Sequence, residues 1–252
     1  MYTFNSKIRY SEAGEDGKLS LAGIINYFQD CSTFQSENLG LGIEKLKAVG
    51  KAWFLNSWQI VINRRPEIGE EIKTATKAYE FKGFSGCRNF MIYDTDDKLC
   101  AYANSVWSYI DLNRNRPVKY EQTEGAGYPI EEALPMDKTD RKIILPDNIK
   151  EVTDGGYMKI RSSLIDTNSH VNNSAYVKLA LDFMPERFFL DEDKIKQVRV
   201  EYKKALKMGD IVNFEYMGYK SEGKIYTVLK MENGDVSAIL EFADKPFGLE
   251  EK

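Results

Sequence analysis

Histidine is almost missing from this chain of 252 residues, in which His170 is the only one. Any chemistry that needs an imidazole must therefore use this side chain. Cysteine is also scarce: Cys31, Cys87 and Cys100 are an odd number, have no metal-type spacing and lie far from the histidine in sequence. We interpret the three as reduced packing residues and expect no metal site.

Long hydrophobic runs are missing too. No stretch approaches the roughly 18 consecutive apolar residues of a membrane-spanning helix, and Met1 to Tyr10 does not resemble a secretion signal. We therefore expect a soluble globular protein in the cytoplasm, without a membrane partner. The net charge of −4 argues against general nucleic-acid binding, because phosphate contacts need a basic surface.

The chain contains an internal repeat. Lys7-Ile8-Arg9 recurs 152 positions later as Lys159-Ile160-Arg161. At that same separation Ser20 corresponds to Asn172, and each is placed to cap the helix that follows it. Helical spacing of apolar residues predicts the first helix over Leu21–Asn38. Its expected buried face consists of Leu21, Ile24, Ile25, Phe28, Cys31 and Phe34.

A second match, 140 positions apart, joins Gln59–Ile62 to Arg199–Tyr202. Both copies lie in series of segments rich in β-branched and aromatic residues, which predict consecutive antiparallel strands. In the first copy these are Trp53–Asn63, Glu71–Phe81, Phe84–Asp94 and Leu99–Asp111. In the second copy they are Ile195–Lys203, Asp210–Lys220, Lys224–Glu232 and Asp235–Phe242.

One strand, one apolar helix and four further strands predict an antiparallel sheet wrapped round a central helix, because only a concave sheet face buries such a helix. This α+β unit occurs twice. We place the first unit at residues 1–112 and the second at 151–252. Residues 113–150 contain four of the seven prolines and are predicted to form a linker.

The most informative segment is Asp166–Asn173, which brings a carboxylate, three amides and an imidazole together within eight residues. It leaves a predicted extended stretch, Tyr157 to Ile165, and enters a helix-like stretch, Asn172 to Phe189. Backbone N–H groups are free at the start of a helix. The segment therefore suits the binding and polarisation of a carbonyl oxygen.

This motif, the strand segment Glu201-Tyr202-Lys203-Lys204 and the duplicated unit resemble the acyl-acyl-carrier-protein thioesterases of plants and bacteria. The resemblance covers nearly the whole chain. The motif alone is less specific, because hotdog hydratases carry a related motif with a proline where this chain has Ser169. The resemblance implies an α+β fold of two tandem hotdog units. It also implies hydrolysis of fatty acyl-acyl-carrier protein to free fatty acid, with acyl-carrier protein as the partner and no cofactor.

The family's aspartate, asparagine and histidine correspond to Asp166, Asn168 and His170. The family also places an acidic residue and a cysteine where this chain has Ala205 and Leu206. That departure excludes a thiol nucleophile at this position. The general base must then come from the loop or from elsewhere.

Thioester hydrolysis needs a nucleophilic water, stabilisation of an oxyanion and a proton path to the thiolate. We expect His170 to take a proton from water or to orient it, Asp166 to hold the imidazole tautomer, and Asn168 to donate to the carbonyl oxygen or to water. Backbone N–H groups of Val171 and Asn172 would complete an oxyanion site.

A structural interpretation competes with this one: Asp166 and Asn168 could simply shape a turn. The first copy has Gly14, Asp16 and Lys18 at the matched positions, so the same turn is expected to form there without the asparagine and the histidine. For Asn172, helix capping is at least as good an interpretation as catalysis.

The acyl chain needs a dry pocket, which the resemblance assigns to the first unit. Candidate lining residues are Phe28, Phe34, Trp53, Phe54 and Trp58, with ordinary core packing as the alternative. A run of bases could attract an acidic carrier protein, although a solvated face is the commoner explanation for such a run. The run consists of Lys194, Lys196, Arg199, Lys203, Lys204 and Lys207.

Two other functions remain open. One is a hotdog hydratase or dehydratase of enoyl or 3-hydroxyacyl thioesters, and the other is a non-catalytic acyl-binding module. The sequence does not fix the acyl chain length, the choice between acyl-carrier protein and coenzyme A, or the oligomeric state, for which a homodimer is one option.

Overall fold

A computed structural model describes residues 1–120, 127–147, 152–188, 191–219 and 223–247. The chain divides into two compact units, Met1–Asp137 and Lys138–Lys252. The division lies inside the stretch that we predicted as a linker, residues 113–150. The predicted limit between residues 150 and 151 lies outside the described residues.

The first unit pairs one long helix with an antiparallel sheet. Its sheet has the strand order β1-β3-β4-β5-β2, and β6 pairs with β5. The elements are β1 Tyr2–Lys7, α1 Leu21–Asn38, α2 Ile43–Ala48, β2 Lys51–Ile62, β3 Glu71–Lys82, β4 Ser85–Tyr93, β5 Leu99–Asp111 and β6 Arg116–Pro117.

Helix α1 has the predicted limits and the predicted cap, since the Ser20 side chain accepts a hydrogen bond from the Gly23 N–H at 3.0 Å. Its buried stripe differs at one position. Phe34 is 43% exposed, whereas Gln35 is buried. Gln35 follows Phe28 and Cys31 at the seven-residue and four-residue spacings of one helix face, so the inward stripe passes through the glutamine.

The second unit repeats the arrangement, with the strand order β8-β11-β10-β9-β7. Within it, Gly234 has a φ of 85° in the tight turn between the last two strands, as the Asn233-Gly234 pair predicts. The elements are β7 Thr153–Lys159, α3 Asn173–Asp182, β8 Gln197–Tyr202, β9 Ile211–Tyr219, β10 Lys224–Met231 and β11 Val236–Ala243.

Two predictions about the second unit were wrong in part. The stretch Tyr157 to Ile165 is extended only as far as Lys159, and a 3-10 turn follows at Ser162–Leu164. Helix α3 ends at Asp182, well before Phe189, which lies outside the described residues. Pro185 explains the early end, because proline disfavours helical backbone in the residue before it and lacks an N–H.

Candidate active site

The predicted motif forms a closed loop. Ile165 and Val171 form an antiparallel bridge at its base, and the Asp166 N–H donates to the His170 carbonyl at 2.7 Å. At the tip, Ser169 has a φ of 62° and its N–H donates to the Asp166 carbonyl at 3.1 Å. The loop therefore holds its shape through its own backbone.

The Asp166 carboxylate supports this shape. Its Oδ1 accepts hydrogen bonds from the Asn168 N–H at 2.8 Å and from the His170 N–H at 3.3 Å. These are the contacts of an Asx turn. Asp166 thus has a clear structural role, and its negative charge also acts on the neighbouring imidazole.

The first unit contains the same loop without the same side chains. Ala13 bridges to Leu19 as Ile165 does to Val171, and the Gly14 N–H donates to the Lys18 carbonyl at 2.9 Å. Gly17, with a φ of 75°, occupies the tip. This confirms the prediction that the turn forms without the asparagine and the histidine, so the fold of the loop does not require them.

The predicted oxyanion donors need correction. The Val171 N–H donates to the Leu206 carbonyl at 2.9 Å, and the Asn172 N–H donates to the Leu164 carbonyl at 2.8 Å. Both N–H groups are thus used within the fold and do not point to an open site. Asn172 also uses its side chain as the N-cap of α3, which supports the capping interpretation.

The first unit shows that these two bonds belong to the scaffold. There the Leu19 N–H donates to the Pro66 carbonyl at 2.7 Å, and the Ser20 N–H donates to the Glu12 carbonyl at 3.0 Å. Both occupy the positions of the Val171 and Asn172 bonds. Because a loop without histidine makes the same bonds, they hold the loop against the chain and do not indicate catalysis.

The imidazole of His170 is half-buried. Burial lowers the pKa of His170 below its ordinary value of 6.5, and the positive charge of Lys207 lowers it further, while the negative charge of Asp166 opposes both. The ring is therefore neutral at pH 7. A neutral imidazole can accept a proton, which is the state that a general base requires.

Asn168 lies in the loop, and Ala205 follows strand β8. Both residues are exposed. The corresponding residues of the first unit are Asp16 and Arg65, which form an ion pair. The Arg65 side chain is 1% exposed and that of Asp16 37%. At these corresponding positions the first unit has an ion pair, and the second has a neutral amide and a methyl group.

The predicted lining residues pack within the first unit. Phe28 and Trp58 are buried, and both rings contact Phe90, with centroids 5.3 and 5.0 Å away. Trp53 lies in a second aromatic group with Tyr109, at 4.8 Å. The remaining two candidates differ in burial: Phe54 is half-buried and Phe34 is exposed. An acyl-binding role for any of them stays a prediction.

Half of the basic run is occupied by ion pairs. Arg199 pairs with Glu241 at 3.0 Å, and Lys203 pairs with Glu201 at 2.9 Å. Lys204 pairs with Asp235. In the described part of the chain, the members of the run without an ion pair are Lys194, Lys196 and Lys207. The surface that could meet an acidic partner is accordingly smaller than the sequence suggests.

Glu201 is a structural residue, as its pairing suggests. Its second carboxylate oxygen, Oε2, accepts a hydrogen bond from the Ile143 N–H at 3.0 Å. The side chain is buried. It therefore ties the segment before β7 to strand β8 and does not reach the loop through these contacts.

One group of potential metal ligands occurs among the described residues, in the first unit. Ligand atoms of Glu70, Asp94 and Cys100 lie within 4.8 Å of one another. Arg64 hydrogen-bonds to both carboxylates, at 2.5 and 2.8 Å. The single guanidinium offsets part of the charge of the two carboxylates, so we interpret the group as an ion-pair cluster. Burial also raises the pKa of the Cys100 thiol to about 11, which keeps it protonated.

None of the three cysteines is in a disulfide, as expected of reduced thiols. Cys31 and Cys100 are buried packing residues, whereas Cys87 is half-buried. Burial raises the pKa of Cys31 to about 12. Among the helices of the described ranges, none combines the length and the apolar character needed to cross a membrane.

Comparison with known proteins gives a consistent result. Residues 1–126 match the acyl-ACP thioesterase N-terminal domain, and residues 147–243 match the acyl-ACP thioesterase C-terminal domain. A chloroplastic acyl-acyl-carrier-protein hydrolase of Cuphea viscosissima is 26% identical over 241 residues, which cover 90% of this chain and 58% of the relative. The chloroplastic palmitoyl-acyl carrier protein thioesterase of Arabidopsis thaliana is 24% identical over a region that covers 79% of this chain and 51% of the relative.

The chain thus spans only a little over half the length of these curated relatives. Solved structures cover it more evenly. An acyl-ACP thioesterase from Bacteroides thetaiotaomicron superposes with a TM-score of 0.80 at 23% identity, over 96% of both chains. The 12:0-ACP thioesterase of Umbellularia californica superposes with a TM-score of 0.78 at 16% identity, also over 96% of both chains.

These superpositions confirm the predicted fold class, α+β with two tandem hotdog units. The two domain matches together include both helix-and-sheet units and the loop that carries His170. The chain belongs to the acyl-ACP thioesterase family.

Proposed function

We propose that this protein hydrolyses the thioester of fatty acyl-acyl-carrier protein and releases a free fatty acid. The observation that carries the proposal is the half-buried imidazole of His170 on a loop whose backbone recurs in the first unit with Lys18 in its place. The scaffold is common to both loops, so the chemistry belongs to the side chains that differ.

In the proposed reaction, water attacks the thioester carbonyl carbon while His170 accepts one of its protons. The tetrahedral intermediate then loses its C–S bond, and the imidazolium returns the proton to the departing thiolate sulfur. Asn168 donates its side-chain amide to the carbonyl oxygen, where negative charge develops. Asp166 keeps the loop in shape and favours the imidazolium by its charge.

We assign the acyl chain to the first unit, with Phe28, Trp53, Phe54 and Trp58 as candidate lining. The support is the family's two-unit organisation and the aromatic content of this unit. The cytoplasmic location and a homodimer remain predictions. The plant relatives are themselves described as chloroplastic.

The duplicated loop supplies a matched control for the central experiment. Purified wild-type protein is incubated with saturated acyl-acyl-carrier proteins of rising length and with the same acyl-CoAs, and free thiol is measured. Loss of a general base typically lowers a rate by about a hundredfold to ten-thousandfold. We therefore expect His170→Gln to lose at least a hundredfold, and Lys18→Gln, at the same place in the first unit, to keep the parental rate.

If His170→Gln retained the rate of Lys18→Gln, the imidazole would not be the base. The substitution of the family's acidic residue and cysteine by Ala205 and Leu206 favours one rival, a non-catalytic acyl-binding module. In that case acyl-acyl-carrier protein binds the wild-type protein and no thiol appears. The hydratase alternative predicts instead a change in enoyl absorbance with enoyl thioesters and no free thiol.

The carrier-protein surface can be tested separately. Lys194 and Lys196 are free of ion pairs in the described structure and lie off the loop, so Lys194→Glu with Lys196→Glu reverses charge without touching His170. We expect KM for acyl-acyl-carrier protein to rise and the effect to weaken in high salt. Lys45→Glu with Lys82→Glu, two exposed positions of the first unit, is the control for net charge and should leave KM unchanged.

A further inference from the structure

The hydroxyl of Tyr176 is placed where it can control the loop. Tyr176 lies on helix α3 and is 3% exposed. Its oxygen accepts a hydrogen bond from the Leu206 N–H at 3.0 Å. The carbonyl of Leu206 in turn accepts from the Val171 N–H at 2.9 Å. Two hydrogen bonds therefore connect the helix, through the chain that leaves β8, to the residue directly after His170.

A second tyrosine strengthens this connection. The ring of Tyr202 meets that of Tyr176 edge-on, with centroids 5.2 Å apart and an interplanar angle of 87°. The Tyr202 hydroxyl donates to the Asn173 carbonyl at 2.9 Å. The last residue of β8 is thus bonded to the first residue of α3.

The first unit provides an internal comparison. At the positions of Tyr176 and Leu206 it has Ile24 and Pro66. Isoleucine has no hydroxyl and proline has no N–H, so neither partner of this hydrogen bond exists there. The loop bond itself remains, because the Leu19 N–H still donates to the Pro66 carbonyl. The loop therefore folds without a tyrosine, and the additional bond occurs only in the unit with the histidine.

We propose that Tyr176 is a positioning residue for His170, acting through Leu206. The inference rests on the proposed function, in which His170 is the general base. Its physical basis is the burial of the bond: Leu206 is fully buried, so an N–H that loses the tyrosine oxygen has no water to replace it. The chain at Leu206 then shifts to satisfy its N–H, and Val171 and the imidazole move with it.

The test substitution is Tyr176→Phe, which keeps the ring and its contact with Tyr202 and removes one oxygen. The matched control is Tyr216→Phe. Tyr216 is also fully buried, and its hydroxyl donates to the Ala180 carbonyl at the other end of the same helix, at 2.7 Å. Both variants lose one buried hydroxyl and one hydrogen bond to the backbone, so a merely structural role predicts the same result for both.

Two readouts separate positioning from stability. The first is kinetic: we expect Tyr176→Phe to lower kcat by about threefold to tenfold, the worth of one net hydrogen bond, with KM little changed. The second is the titration of His170 by NMR, which is clean because the chain has only one histidine. A displaced, better hydrated imidazole loses part of its burial, so its pKa rises towards the ordinary value. Asp166 and Lys207, the charged groups that act on it, remain unchanged.

The proposal predicts that both readouts change in Tyr176→Phe and that neither changes in Tyr216→Phe. Equal behaviour of the two variants, in kcat and in the histidine titration, would overturn it. Because the titration needs no turnover, it tests the positioning of His170 even if hydrolysis is not the activity. An altered titration without any hydrolysis in the wild-type protein would reject the proposed function and leave the positioning intact.

Discussion

The carboxylate of Asp166 offers a sharp test of how structure and charge share one side chain. Its Oδ1 accepts two backbone N–H bonds within the loop, and its charge raises the pKa of His170 against the effects of burial and of Lys207. Asp166→Asn removes the charge and keeps an oxygen acceptor. Asp166→Ala removes both. Comparing the two variants therefore separates the contributions.

The structure sets the size of the effect on stability. A hydrogen bond to a charged group contributes about 1.5–3 kcal/mol when it is buried. Here Asn168 is exposed and His170 half-buried, so water replaces part of the lost bonding. We expect Asp166→Ala to lower the free energy of unfolding by about 1 kcal/mol and Asp166→Asn to lower it by less.

The charge produces a different signature. Both variants lose the negative charge that favours the imidazolium. In Asp166→Asn, which keeps the acceptor and so the shape of the loop, the pKa of His170 falls further and the acid limb of kcat moves to lower pH. A histidine whose folded pKa is depressed opposes folding when protonated. Its contribution to stability is therefore complete above the ordinary pKa of 6.5 and is lost as the pH falls towards the folded value. The lower the pKa of His170 in the folded protein, the wider is the pH range over which this stability is lost.

The assay combines urea unfolding at several pH values, NMR titration of the single histidine and the pH profile of thioester hydrolysis. Asp154→Ala is the control, because Asp154 makes a comparable Asx bond to the Gly156 N–H at 2.8 Å in β7, outside the loop. We expect Asp166→Asn to keep most of kcat at neutral pH and Asp166→Ala to lose about tenfold. An upward shift of the His170 pKa in Asp166→Asn would refute the electrostatic argument, and equal loss of kcat in both variants would refute the role of the acceptor.

Three further results are expected. A methyl group at Gly155 would lie 2.3 Å from a ring carbon of Tyr216, so Gly155→Ala should lower the free energy of unfolding by about 1–3 kcal/mol; an unchanged urea midpoint would contradict this. Arg64 lowers the pKa of Glu70, so Arg64→Met should be less stable than the wild type at pH 7, and the difference should shrink as the pH falls below 4.5. A stability difference independent of pH in the same unfolding assay would argue against this. Phe28→Ala should cost about 3–5 kcal/mol as a core residue, whereas unchanged stability with hydrolysis of longer acyl chains would identify the ring as pocket lining.

Much of the fold follows from local patterns. Helix α1 has the limits that its apolar spacing and its serine cap predict, and β5 has the limits that its composition predicts. Such elements are specified by neighbouring residues. Helix α2 and strand β6 were not predicted, because they are too short to show a period. Helix α3 was predicted too long, since the apolar residues after Pro185 continue the pattern without continuing the helix.

The site was predictable to a different degree. The motif identifies the loop, because its side chains are unusual in the sequence. The direction of its backbone groups is not a local property: the Val171 N–H is taken up by Leu206, which is 35 positions away. For the same reason the ion pairs of Arg199 and Lys204 depend on residues of β11 and of the turn before it, so composition alone overestimates the free basic surface.

The duplication separates what the fold needs from what the chemistry needs. Both loops close through corresponding β-bridges and are held to the chain by two corresponding backbone hydrogen bonds. The requirements of folding alone therefore explain those contacts. The side chains differ: Lys18 corresponds to His170, and an ion pair between the exposed Asp16 and the buried Arg65 corresponds to the uncharged Asn168 and Ala205. Because the backbone of the loop is the same in both units, folding does not require the imidazole in the second unit. The proposed role of His170 in hydrolysis rests on that difference between the two loops.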